Sequence, residues 1–202
     1  MAVCVADAGE GTAPGCAMIW NDKQIAAVGE RMVTPFVGQQ VSELHGHKMV
    51  SYGVSSFGYD VRLGVDFRRV AADEPGVLDP KNMEEVWWHA FTDFTVDILP
   101  GECVLGVTYE RVVVPENVMV LCVGKSTYAR LGLVVNTTPL EPGWEGHVTL
   151  ELSNTNSRPL RVYAGEGIAQ LMFFEGERPM VTYGDRGGKY QNQEDVPVLA
   201  RV

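Results

Sequence analysis

Three kinds of reactive group gather in the segment 124–151, GKSTYARLGLVVNTTPLEPGWEGHVTLE: an ammonium with two hydroxyls, a guanidinium, and a carboxylate. Gly124 closes an apolar run, 118–123, and Lys125, Ser126 and Thr127 then open a short helix-compatible stretch. Backbone N–H groups at such a turn, beside a lysine and hydroxyls, suit phosphate oxygens. Ser126 and Arg130 are four residues apart, so one helical turn sets them on one face. After an apolar strand, 131–135, and a turn, 136–143, the next strand alternates: Val148, Leu150 and Leu152 point one way, and His147, Thr149 and Glu151 the other. Glu151 is thereby a carboxylate aimed away from a core. The plainer account stays open, because the segment lacks the first glycine of a P-loop and a Glu on the polar face of a strand is ordinarily just solvated.

The elements that must hold these groups are short strands. Segments 65–70, 94–99, 102–114, 118–123, 160–163, 168–174 and 180–183 read as strands separated by Gly/Pro turns such as Pro100-Gly101 and Pro115-Glu116-Asn117. Segment 50–63 reads as a strand with a bulge or bend, and Asp79-Pro80-Lys81-Asn82 as a turn. Trp87 and Trp88, adjacent on a strand, point opposite ways. Such spacing predicts an all-β barrel or sandwich. A short N-terminal helix is expected to start at Asn21 or Asp22 and to be stopped by Pro35. Residues 1–17 read as a disordered extension, or as the result of a start upstream of Met18. Residues 18–183 form the barrel domain and 184–202 a polar, Gly- and Gln-rich tail. That tail is either a frayed terminus or a lid.

The 202 residues suit one domain with a core. A formal net charge of −10 disfavours a nucleic-acid groove held by bulk electrostatics. A charged ligand would need a local cluster, for which Lys125, Arg130, Arg186 and Lys189 are candidates. No apolar run of about 18 residues is present, so no membrane helix is expected, and the first residues do not make a signal peptide. Cys4, Cys16, Cys103 and Cys122 have no CxxC spacing; Cys103 and Cys122 lie in apolar runs and read as buried thiols of a reducing, cytoplasmic compartment.

Four segments in order, GKSTYARLGL, EPGWEGHVTLELSN, GEGIAQLMFF and YGDRGGKYQNQ, resemble the dCTP deaminase family, and SYGxSSxGYDxRLG at 51–64 resembles its N-terminal part. The likeness runs from about residue 19 to about residue 193. It implies a distorted β-barrel or jelly-roll of the dUTPase-like type, assembled as a homotrimer with shared sites. The 51–64 segment is then barrel and subunit contact rather than a nucleotide loop.

Hydrolytic deamination of cytosine needs water attack at C4, a proton on N3 and departure of ammonia. Zinc deaminases carry H-x-E and P-C-x-x-C, neither of which is present, and His45 and His47 read as loop histidines. The resemblance implies zinc-free chemistry, with Glu151 shuttling protons while Ser126 and Arg130 hold water and stabilise charge. Arg130 is expected to keep Glu151 ionised at rest. The resemblance further implies substrate contacts from Lys125, Ser126, Thr127, Tyr128, Ala129 and Arg130, chiefly to phosphates. It also implies that Thr149, Leu150 and Glu151 line the pyrimidine and that Glu141 reads the deoxyribose 3′-hydroxyl. Gln170, expected in a turn, is a further contact, and Tyr183, Lys189 and Gln193 close from the tail. Mg²⁺ would ride on the triphosphate, and dTTP is a candidate inhibitor. Pro139 stands where some members have an arginine. A dUTPase or bifunctional enzyme, and a non-catalytic nucleotide sensor, are the competing classes; the joint presence of Glu151, Ser126 and Arg130 favours the deaminase.

Overall fold

The computed structural model describes residues 18–71, 76–82 and 87–202; the expected N-terminal extension, with Cys4 and Cys16, lies outside them. After a two-residue strand β1 (Met18–Ile19), helix α1 (Asp22–Val28) begins where the sequence places it. The Asn21 side chain accepts from the N–H groups of Lys23 and Gln24, and the Gln24 side chain returns the favour to the Asn21 N–H, a capping box. The helix ends seven residues before Pro35. Gly29, at φ +46, closes it and leads into a 3₁₀ turn, Gly29–Arg31.

Two sheets share one core. In the first, β14 (Gly167–Glu175) carries β10 (Val118–Gly124) along one edge and β5 (Gly58–Arg62) with β1 along the other; β4 (His47–Ser55) and β3 (Val41–Leu44) extend it beyond β5. In the second, β12 (Glu145–Asn154) lies between β11 (Leu133–Asn136) and β9 (Cys103–Val113), and β6 (Asp66–Val70), β7 (Trp88–Thr92) and β2 (Val33–Thr34) complete it beyond β9. A ribbon of β8 (Thr95–Ile98) and β13 (Leu160–Tyr163) stands apart. Tyr59, Phe67, Leu150, Leu152, Ile168, Leu171 and Phe173 from both sheets are fully buried together. The fold is all-β, as the strand spacing requires.

Several boundaries differ from the sequence reading. Segment 50–63 is a hairpin of β4 and β5 rather than one bent strand. No strand forms over 180–183: the Thr182 N–H donates to the Asp185 carboxylate and the Asp185 N–H donates to the Thr182 hydroxyl, so local side chains take the groups a sheet would have used. Cys122 is buried, but Cys103, at the first position of β9, is exposed. His45, at φ 51, sits in the β3–β4 turn, whereas His47 begins β4. The turn at 79–82 is present, closed by the Asn82 N–H on the Asp79 carbonyl at 2.9 Å.

Candidate active site

Strand β12 alternates along its whole length, so Leu150 and Leu152 go to the core and Thr149 and Glu151 to the other face. Glu151 lies opposite Asn136 of β11 and Leu105 of β9. Its carboxylate is half-buried, and its Oε2 is shielded from solvent with no hydrogen-bond partner among the described residues. Burial disfavours the charged form and pushes its pKa above the ordinary carboxylate range. Its charge is felt at Cys122 of β10, whose thiol is raised to about 12, first by burial and then by Glu151.

Helix α2 (Ser126–Ala129) leaves the end of β10 as a single turn. The Arg130 N–H donates to the Ser126 carbonyl at 3.2 Å, which brings the two residues onto one turn as their spacing demands. Ser126, Thr127, Ala129 and Arg130 are exposed, but the Tyr128 ring belongs to the core. Among the described residues Arg130 makes no ion pair, and none joins it to Glu151. The expectation that Arg130 holds Glu151 ionised is therefore not met among the described residues of one chain, where burial raises the carboxyl against a smaller lowering by a backbone hydrogen bond.

Lys125, which the resemblance assigns to the phosphates, is engaged within its own chain. Its ammonium is buried against the Asp60 carboxylate of β5, with side chains 11% and 5% exposed. Gln170 stands within β14 rather than in a turn, facing Asp60 in register, and donates to the Ser55 hydroxyl at 2.8 Å. Leu150, fully buried, can offer a ligand only its backbone.

The tail packs on the barrel. β11 leaves β12 at Glu151, and Gln193 takes the vacated edge: the His147 N–H donates to the Gln193 carbonyl at 2.9 Å, and Gly146 and Gln193 bridge in parallel. Gly146, at φ +144, permits this, because a Cβ there would lie 2.6 Å from the Gln193 nitrogen. Trp144 donates its indole N–H to the Tyr190 carbonyl at 2.9 Å. The Thr149 hydroxyl donates to Gln193 Oε1 at 2.8 Å and accepts from the Val198 N–H at 3.0 Å. Tyr183 receives the Tyr190 N–H on its hydroxyl at 2.9 Å, while Lys189 turns to the Arg201 carbonyl. Glu141 pairs with Arg186 of the tail. The structure thus joins Thr149 with Gln193 and ties Glu141 to the tail, but leaves Lys125 and Gln170 on the other sheet. Asp60 and Gln40 escaped the sequence reading, although an acid in the middle of the aromatic, apolar run GYDVRLG was the available signal. No three of His, Cys, Asp and Glu converge as metal ligands among the described residues.

Glu151 thus stands half-buried on the polar face of a strand in an all-β double sheet, with one carboxylate oxygen unpartnered among the described residues. A model of the dCTP deaminase-like family matches residues 20–176, and the chain belongs to that family. It is 47% identical over 185 residues to a protein named dCTP deaminase from Acinetobacter baumannii (strain AYE), covering 88% of this chain and 96% of that one. A dCTP deaminase of Acidithiobacillus ferrooxidans (strain ATCC 53993 / BNL-5-31) is 46% identical over 184 residues, with the same coverage. The fold is similar to that of a solved 2′-deoxycytidine 5′-triphosphate deaminase from Agrobacterium tumefaciens. That match has a TM-score of 0.57 at 22% identity and covers 79% of this chain and 48% of that longer one.

Proposed function

We propose that this protein hydrolyses dCTP to dUTP and ammonia without zinc, in the cytoplasm, as a homotrimer. The observation that carries the reading is Glu151, a carboxyl with one unpartnered oxygen and a pKa raised by burial, on a strand whose residues 145–154 hold it fixed. A base drawn toward neutrality is matched to proton transfer near physiological pH.

In this mechanism ionised Glu151 takes a proton from water as the oxygen attacks C4, then delivers it to N3. The tetrahedral intermediate carries hydroxyl and amino groups on C4. Glu151 takes the hydroxyl proton and passes it to the amino group, the C4–N bond breaks, and the C4 carbonyl forms as ammonia leaves. Ser126 holds the water, and Arg130 stabilises negative charge on the attacking oxygen. Because the two lie exposed and Arg130 has no ion-pair partner among the described residues of its own chain, they serve the Glu151 of a neighbouring subunit, which supplies the wall a single barrel lacks. Mg²⁺ enters on the triphosphate. Thr149 and the tail residues Tyr183, Lys189 and Gln193 close over the bound nucleotide.

The test is incubation with dCTP and Mg²⁺, followed by separation of dUTP from dUMP and assay of ammonia. Stoichiometric dUTP and ammonia, with full rate after zinc chelation and Mg²⁺ replacement, is expected. Absence of ammonia, or a need for added zinc, overturns the proposal.

A further inference from the structure

We infer that Asp60 is a positioning residue. With Gln40 it anchors the Lys125 ammonium, and that anchor sets the direction in which the Ser126–Arg130 segment leaves the barrel. The inference rests on the reading of that segment as part of the substrate site.

Asp60 lies in the middle of β5 and is only 3% exposed. A buried carboxylate is tolerable when its charge is met and its oxygens are bonded. Both conditions hold at Oδ2, which receives the Lys125 Nζ and, at 2.6 Å, the Gln40 Nε2. With side chains 11% and 5% exposed, little water competes for the pair.

Lys125 is held at both ends. Its N–H donates to the Ile168 carbonyl of β14 at 3.2 Å, and its carbonyl accepts the Ala129 N–H at 2.9 Å as the first turn of α2 closes. Its own backbone is extended, at φ −68 and ψ 141, so it is the joint between β10 and α2. Its stem runs over Gly167, where a Cβ would come within 3.2 Å of the Lys125 Cδ and 1.9 Å of the Ser51 carbonyl oxygen. Backbone bonds fix the joint to β14, and the side chain fixes it to β5. Among the described residues no side chain caps the start of α2, so this ion pair is the side-chain tether next to Ser126.

The ammonium of Lys125 is consequently satisfied inside the protein, whereas Arg130 has no ion pair among the described residues. Lys125 and Asp60 then act as one unit, and their substitutions must be non-additive.

The experiment measures kcat and KM for dCTP, and the Kd of Mg²⁺–dCTP by calorimetry, in the parent, Asp60→Asn, Lys125→Met and the double variant. Lys125→Arg serves as the conservative control. Each single variant is expected to raise KM and Kd by about tenfold or more, the double to be no worse than the worse single, and Lys125→Arg to recover most of the loss. If the two effects multiply, or if Asp60→Asn stays within about twofold of the parent while Lys125→Met does not, Lys125 acts on substrate directly and the inference is wrong. Exposed Gln40 gives a milder variant: Gln40→Leu, with the Lys125 pair left in place, is expected to raise KM about threefold in a protein that still folds, and an unchanged KM overturns the inference. A parent that binds but does not deaminate dCTP would remove the deaminase reading, while the binding cycle would still decide this one.

Discussion

Thr108 receives the Val148 N–H on its hydroxyl at 2.8 Å, at the point where the β9–β12 ladder slips. His147 faces Arg111 but Thr149 faces Val107, so Thr108, Tyr109 and Glu110 of β9 stand opposite Val148 alone. The same hydroxyl donates to the Glu110 carbonyl at 2.8 Å, and the Glu110 carboxylate, turned inward, accepts the N–H and Nε of Arg62 at 2.8 and 2.6 Å. Fully buried, Thr108 thus replaces the ladder bond that the bulge removes, one residue before Thr149.

Thr108→Val keeps the shape but leaves the Val148 N–H without a partner. It should cost about 1–3 kcal/mol in urea unfolding, and Thr108→Ser should restore most of that. A Thr108→Val protein as stable as the parent would show that the hydroxyl bridge contributes nothing.

Glu151→Gln keeps the size and removes the proton shuttle. Turnover of dCTP should fall by about 10²–10⁴-fold or more, with Kd for Mg²⁺–dCTP within about threefold. Steady-state rates and calorimetry test the two halves separately; a variant within about tenfold of parental kcat would exclude Glu151 as the acid–base group.

The stability of the fold should also report on Glu151. Burial raises its folded-state pKa above the unfolded value, so the stabilising protonated form is fully present below the ordinary carboxylate range and is lost as pH rises through the raised value. Relative to Glu151→Gln, the parent should therefore lose stability between acid and neutral pH. Glu110 is also raised by burial, but it is common to both proteins and cancels in the difference. Urea midpoints of the pair across that pH range should diverge; parallel curves would mean that Glu151 is ordinarily solvated.

Cys103 and Cys122 should differ in reactivity. Cys103 is exposed, while Cys122 is buried with its thiol raised to about 12. Brief alkylation at neutral pH followed by peptide mapping should label Cys103 and spare Cys122. Equal labelling would contradict the packing of β10 against β14.

Trypsin at Arg186 and Lys189 should read the docking of the tail. Thr149→Val removes the bonds to Gln193 and Val198, and cleavage should quicken several-fold; Mg²⁺–dCTP should slow cleavage of the parent. Identical rates with and without nucleotide would remove the lid role.

The strands of the core were legible because alternation is local: Val148, Leu150 and Leu152 announce their face without reference to any other part of the chain. The N-cap at Asn21 was legible for the same reason. Pairings were not. Nothing near Lys125 in sequence points to Asp60, 65 residues away, and the reading of Lys125 as a free phosphate ligand missed a partner supplied by another strand. Arg130 and Glu151 were expected to meet because the family resemblance assigns them to one site, yet among the described residues of one chain no ion pair joins them. The strand expected over 180–183 failed because Thr182 and Asp185 satisfy each other locally, which hydropathy does not register.

The way Gln193 lies along β12 bears on how the protein survives damage. β11 covers that edge only as far as Glu151, and the tail covers Gly146 and His147 beyond it. A chain clipped after Tyr183 would keep its barrel but bare a short row of unpaired backbone donors and acceptors next to a strand already in place. Bare edges recruit strands from other molecules. Loss of the tail is thus expected to cost solubility as well as activity, and light scattering of a chain clipped after Tyr183 would read it.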